Sequence, residues 1–180
     1  FYYSNISLHC RDYLKPLVQA EAAQSLQGMV CIINQVNLGA PGLFFNGRVV
    51  FDEELSQQIL SSDMNHNFLY TYRGTVVATY VQGEMLEYMA EALKSLPDSA
   101  ELIQHLRHDC VTKELEKVTL IANPVDLIHH NPAILRTDCA YKKTAGIIKG
   151  DVQPAVHIYN EENVFIDKTA VLEDTVVLNA

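Results

Sequence analysis

With only 8 glycines and 6 prolines in 180 residues, this chain has too few breakers for a collagen-like fibre or a low-complexity linker. Its 48% hydrophobic content excludes a disordered tail. No apolar run approaches the roughly 18–20 residues a membrane helix needs, so no membrane partner is expected. Basic residues are scarce as well: 13 Lys plus Arg stand against 22 Asp plus Glu, a net charge of −9. That balance repels a phosphate backbone and argues against nucleic-acid binding. The four cysteines, Cys10, Cys31, Cys110 and Cys139, lie 21, 79 and 29 residues apart without a C-x-x-C pair. They read as buried reduced thiols of a cytoplasmic protein rather than a disulfide or zinc framework. Neither G-x-G-x-x-G nor G-x-x-x-x-G-K occurs, and no serine sits in a nucleophile elbow. No targeting peptide is visible, and a chain opening on Phe1 reads as cut at both ends.

What is present is clearest near the C-terminus. Ile166, Leu172 and Leu178 recur every six residues, each followed by Asp167, Glu173 or Asn179, with Thr169 and Thr175 three after the first two. A six-residue period is neither helical nor that of a simple strand. It fits one flat side of a triangular parallel β-coil, the aliphatic residue pointing inward and the small residue turning the corner. Such coils need several stacked units and a cap, so the repeats are expected to continue past Ala180. Gly146 and Gly150-Asp151 read as the hinge into them.

Upstream, strand and helix patterns alternate. Asp12 can cap a helix to about Gln27 with Tyr13, Leu14, Leu17 and Val18 on one face. Met29–Ile33 and Leu43–Phe45 are short apolar runs of the kind buried strands show, with a loop over Asn37–Gly42 between them. Asp52 opens a helix with Leu55, Ile59 and Leu60 inward. Phe68 to Val81 reads as a hairpin turning at Arg73-Gly74. An amphipathic helix follows over Gln82–Leu96, ended by Pro97. A further helix spans about Ser99–Asp109, then comes a strand at Val118–Ala122 and a helix from Pro124.

Two segments can carry chemistry. Asn46-Gly47-Arg48 follows the Leu43–Phe45 strand, and the carboxyl ends of strands are where open α/β sheets bind ligands. A plain turn with Gly47 at positive φ explains the same residues structurally. In Asn123-Pro124-Val125-Asp126-Leu127-Ile128-His129-His130-Asn131-Pro132, Asn123 suits an N-cap, Pro124 the first helical position and Asp126 the first turn. A carboxylate there could also hold Mg²⁺ beside a phosphate. His129 and His130 point about 100° apart on a helix and make a poor metal pair, so one is expected to face the core. His105 and His108 share a face but read as solvated.

Leu43–Asp52, Pro124–Asn131 and His157–Val164 together resemble the sugar nucleotidyltransferases related to bacterial N-acetylglucosamine-1-phosphate uridyltransferase. A segment similar to Pro-Val-Asp-Leu-Ile-His-His-Asn precedes the β-helix in several of them, often with Trp in place of Val125. The resemblance implies an α/β fold: part of a nucleotide-diphospho-sugar transferase-like (Rossmann-like) domain over 1–145, its N-terminal nucleotide loop missing. The first coils of a left-handed parallel β-helix follow over 146–180. It implies nucleoside triphosphate and sugar phosphate as substrates, Mg²⁺ as cofactor and a homotrimer formed through the β-helix. It also casts Arg48 and Asp126 as catalytic residues, Asp126 as the metal ligand, and Asn46, Gly47 and Asn131 as substrate contacts. Active relatives carry a metal-binding Asp where Arg48 stands; a guanidinium cannot ligate a cation but can bind phosphate. Two alternatives stay open: a non-catalytic sugar-nucleotide-binding or assembly subunit, and a hexapeptide-repeat acyltransferase, for which His157 is the one histidine near the repeats.

Overall fold

The computed structural model describes residues 5–25, 30–34, 40–95 and 99–180. The chain divides into two compact units, Phe1–Leu120 and Ile121–Ala180. In the first, β1 (Asn5–Leu8) leads through a short 3-10 turn into α1 (Lys15–Ser25), and β2 (Val30–Ile33) returns parallel to β1. Asp12 lies inside the 3-10 turn, behind an N-cap at Arg11, and does not cap the helix. Tyr13 and Leu17 are exposed, so they do not form the inward face that their spacing suggested. Gln27, Met29, the first half of the Asn37–Gly42 loop, Leu96 and Pro97 lie outside the described residues.

β3 (Gly42–Phe45), β4 (Val49–Val50), α2 (Glu53–Leu60), β5 (Phe68–Tyr72), β6 (Thr75–Val81), α3 (Met85–Ser95), α4 (Ser99–Leu106), β7 (Val111–Glu114) and β8 (Thr119–Leu120) complete this unit. Its main sheet has the order β3-β6-β5-β7, with β4 paired to β8 alongside. Alternation along a strand sends successive side chains to opposite faces. Phe68 and Tyr70 therefore pack with Leu55 and Ile59 of α2, while Leu69 packs with Met85 and Met89 of α3 and Ile103 and Leu106 of α4. Helices thus cover both faces of the sheet, a mixed α/β architecture. A register shift between Tyr70 and Thr71 marks a bulge opposite Val77, which joins Ala78 on the α2 side. Leu43–Phe45 was expected as a buried strand, but β3 is an edge strand and Phe45 is half exposed, its ring edge-on to Phe51. Leu60 points outward, not inward, because it stands about 100° round the helix from the fully buried Ile59. The hairpin forms as expected: Arg73 and Gly74 both have positive φ, the two-residue turn that matches strand twist. Only Thr119–Leu120 of the expected Val118–Ala122 strand is paired, and the helix expected over Ser99–Asp109 stops at Leu106.

The second unit opens with α5 (Pro124–Lys142) and continues as β9 (Ile147–Ile148), β10 (Asp151–Val152), β11 (His157–Tyr159), β12 (Phe165–Ile166), β13 (Val171–Leu172) and β14 (Val177–Asn179). β12, β13 and β14 lie parallel on β9, β10 and β11, returning 18, 20 and 20 residues later. Ile166 is buried and Leu172 and Leu178 partly so, while Phe165, Val171 and Val177 beside them face outward. At each of these three positions the residue at the six-residue spacing is thus less exposed than the one before it. Gly146, at positive φ, precedes the first paired strand, and Gly150 lies between β9 and β10. A Cβ on Gly150 would stand 2.6 Å from Ile166 Cγ2 and 2.7 Å from the Ala170 carbonyl oxygen, so the stacking of the two layers requires glycine there. All four cysteines are free thiols. Cys110 is buried, and burial pushes its thiol up to about 11. Cys139, expected inside, is exposed on α5. Among the described residues no helix is long and apolar enough to cross a membrane.

Candidate functional site

β3 and β5 both run antiparallel to β6, and β7 runs parallel to β5. The carboxyl ends of β3, β5 and β7 therefore share one edge of the sheet, the edge at which α/β folds place their ligands. Asn46–Arg48 leaves β3 there. The Asn46 amide group donates to the Val76 carbonyl at 2.7 Å, and its side-chain oxygen accepts the Arg48 backbone N–H at 3.0 Å. Its own backbone bonds Val77 and Val49. Asn46 thus builds the turn with both ends of its side chain. Gly47 lacks the positive φ expected of it; the Asn46 bonds set the turn instead, and the space around its Cα is open. Arg48 is exposed, and its guanidinium has no ion pair or side-chain hydrogen bond among the described residues. The turn therefore presents an exposed cation at the carboxyl ends of the strands.

The same edge holds a cleft that sequence reasoning missed. Thr71, Gly74, Ala100, Ile103, Gln104, Arg107, His108 and Glu114 line a space of about 510 Å³. Glu114 ends β7, its carboxylate accepting the Thr71 hydroxyl and, at 2.7 Å, the Arg73 backbone N–H. β7 carries no strand pattern in its sequence, since all four of its residues are exposed and show no apolar alternation. The signal available was its β-branched Val111-Thr112 pair after a helix end.

Asp126 and Asn131 belong to the second unit. Asn123 caps α5 with a side-chain oxygen that accepts the Val125 N–H, and Pro124 stands at the first helical position, as expected. Asp126 closes the capping box: one carboxylate oxygen accepts the backbone N–H of Ala122 at 2.8 Å and of Asn123 at 2.9 Å. The Asn123 and Ala122 amides, and then His130 and His129 nearby, hold its carboxyl below the usual range. Its other oxygen has no hydrogen bond among the described residues. Magnesium is commonly held by one or two carboxylates with substrate phosphates and water, and that single oxygen suits such a share of the shell. No cluster of three His, Cys, Asp or Glu suited to a metal ion occurs among the described residues. Asn131 follows Asp126 by five positions, about 140° further round the helix, so the two do not share a face. Neither His129 nor His130 is buried, contrary to the expectation that one faces the core, because α5 carries no buried residue. His105 is exposed as expected and stacks on Tyr88 with ring centroids 3.8 Å apart.

A sheet covered by helices on both faces, with an exposed cation and a polar cleft at the carboxyl ends of its strands, makes this unit a mixed α/β domain. Residues 1–145 match the model of the family described as sugar nucleotidyl transferase, and the chain belongs to that family. Family membership brings nucleotide and sugar phosphate with it as the substrate classes. No curated protein matches the chain.

Proposed function

We propose that this chain forms the transferase part of an enzyme that makes a nucleotide sugar from a nucleoside triphosphate and a sugar 1-phosphate. An oxygen of the sugar phosphate attacks the α-phosphorus, the bond to the β,γ-phosphates breaks, and pyrophosphate leaves. Catalysis of this kind is mostly positioning and charge neutralisation. The observation that carries the reading is Arg48: an unpaired guanidinium on a turn braced by Asn46, at the ligand edge of the sheet, in a chain of this family. Its fork suits a phosphate at that edge. Asp126, in the second unit, would hold Mg²⁺ through its other oxygen, and the ion would supply charge neutralisation for a phosphate. The capping box keeps that carboxylate ionised and its direction set. A cytoplasmic location goes with these substrates.

The parallel layers over 147–179 are read as turns of a left-handed β-helix, through which three copies associate. The six-residue inward pattern and the 18- and 20-residue returns support this reading. The test is pyrophosphate release by the whole protein with a panel of nucleoside triphosphates and hexose 1-phosphates. Arg48→Ala and Asp126→Asn should each lower the rate at least about tenfold with the fold intact. Asn is chosen at 126 because it keeps an acceptor for the helix cap. Nucleotide-sugar binding without magnesium-dependent turnover would replace the enzyme reading with that of a binding subunit, which the Arg48 substitution itself suggests.

A further inference from the structure

We infer that the cleft between the β5–β6 turn, the end of β7 and α4 holds the phosphorylated sugar, with Arg107 and His108 on its phosphate and Gln104 and Glu114 on its hydroxyls. The inference rests on the sugar nucleotidyl transferase reading and adds the subsite for one substrate. At about 510 Å³ the space falls within the range of small-molecule sites. It opens at the carboxyl ends of two parallel strands, β5 and β7. Its lining is of the kind a sugar needs. Glu114 is held in one orientation by Thr71 and the Arg73 amide, so its remaining lone pairs are aimed before a ligand arrives. Fixed acceptors of this kind discriminate hydroxyl patterns, because a missing partner leaves them unpaired. Buried Ile103 offers an apolar floor for a ring face, and nothing stands within 4 Å of where a Gly74 side chain would start, so a ligand can reach the backbone there.

Arg107 and His108 follow the last turn of α4, where a basic residue complements the helix dipole. The dipole accounts for their presence but not for the locked carboxylate across the same cleft. Among the described residues the Arg107 guanidinium has no ion pair or side-chain hydrogen bond, although Glu114 lines the same space. A cation left free beside a carboxylate already held by neutral donors can take a phosphate. Arg48 lies at the opposite side of the sheet: three strand spacings separate β3 from β7, about 14 Å. The two cations therefore serve different phosphates, the sugar's at Arg107 and the nucleotide's at Arg48.

The experiment is calorimetric titration of the whole protein with the 1-phosphates of glucose, galactose, mannose and N-acetylglucosamine, with the parent sugars and inorganic phosphate as controls. Pyrophosphate release is measured in parallel. At least one sugar phosphate should bind more tightly than its parent sugar and than inorganic phosphate. Arg107→Ala should weaken that binding at least about tenfold, and His108→Ala and Gln104→Ala by smaller factors. These three side chains are exposed, so their loss leaves the core intact. Binding by none of the four, or equal affinity in wild type and Arg107→Ala, overturns the subsite. Turnover with an unchanged KM for sugar phosphate in Arg107→Ala overturns the subsite alone. Arg107-dependent binding without pyrophosphate release supports the subsite and removes the transferase reading.

Discussion

Asn46 and Arg48 stand two residues apart and play opposite parts. Asn46 has both ends of its side chain engaged, on the Val76 carbonyl and the Arg48 amide, whereas the Arg48 guanidinium has no partner among the described residues. Asn46→Ala should therefore lower stability by about 1–2 kcal/mol, two net hydrogen bonds' worth, in a urea titration. Arg48→Ala should leave the midpoint unchanged. Equal losses in the two variants would mean that the turn is held by something else. Asp167 supplies a second residue-scale prediction, since its carboxylate accepts the Thr169 amide and hydroxyl and is held below its ordinary value of 3.8. A depressed carboxylate contributes stability above that ordinary value and loses it as pH falls through its own lower one. The Thr169 amide resonance should accordingly titrate with a midpoint below 3.8; a midpoint at or above it would remove the bond from the corner.

Elements were legible where local chemistry is self-sufficient. The Arg73-Gly74 turn and the Asn123-Pro124 helix start carry their own signals, and both formed as read. Leu43–Phe45 looked like a buried strand because three apolar residues say nothing about which neighbours a strand acquires; it became an edge. β7 is polar and exposed, so no pattern announced it, yet it supplies Glu114 to the cleft. The paired layers of the second unit depend on close approach at Gly150. Gly150→Ala should cost about 1–3 kcal/mol through overpacking against Ile166 and the carbonyls of Asp167 and Ala170. Chemical denaturation monitored at the second unit measures it, and a neutral result would mean that the corner relaxes freely.

The first unit is organised by one sheet whose strands alternate their side chains between two helical layers. Ile59 is fully buried between α2 and that sheet, among Leu55, Phe68, Tyr70 and Tyr80. Ile59→Ala should cost about 2–5 kcal/mol, and a single unfolding transition of this unit should shift accordingly. A loss below that range would mean that the cavity collapses or that α2 is not seated as described.

Sequence alone was enough for the six-residue spacing of Ile166, Leu172 and Leu178, the capped start of α5 and the hairpin turn. Each follows from periodicity, capping or chemistry confined to a few neighbouring residues. Tertiary structure decided what those pieces meet. It set β3 at the edge, left both α5 histidines unburied, committed Asn46 to the turn, and brought Thr71, Arg107, His108 and Glu114 round one cleft. That cleft joins residues up to 43 positions apart, as the Thr71–Glu114 bond shows. No local pattern encodes such a meeting, because strand order and the packing of α4 on the sheet bring its members together.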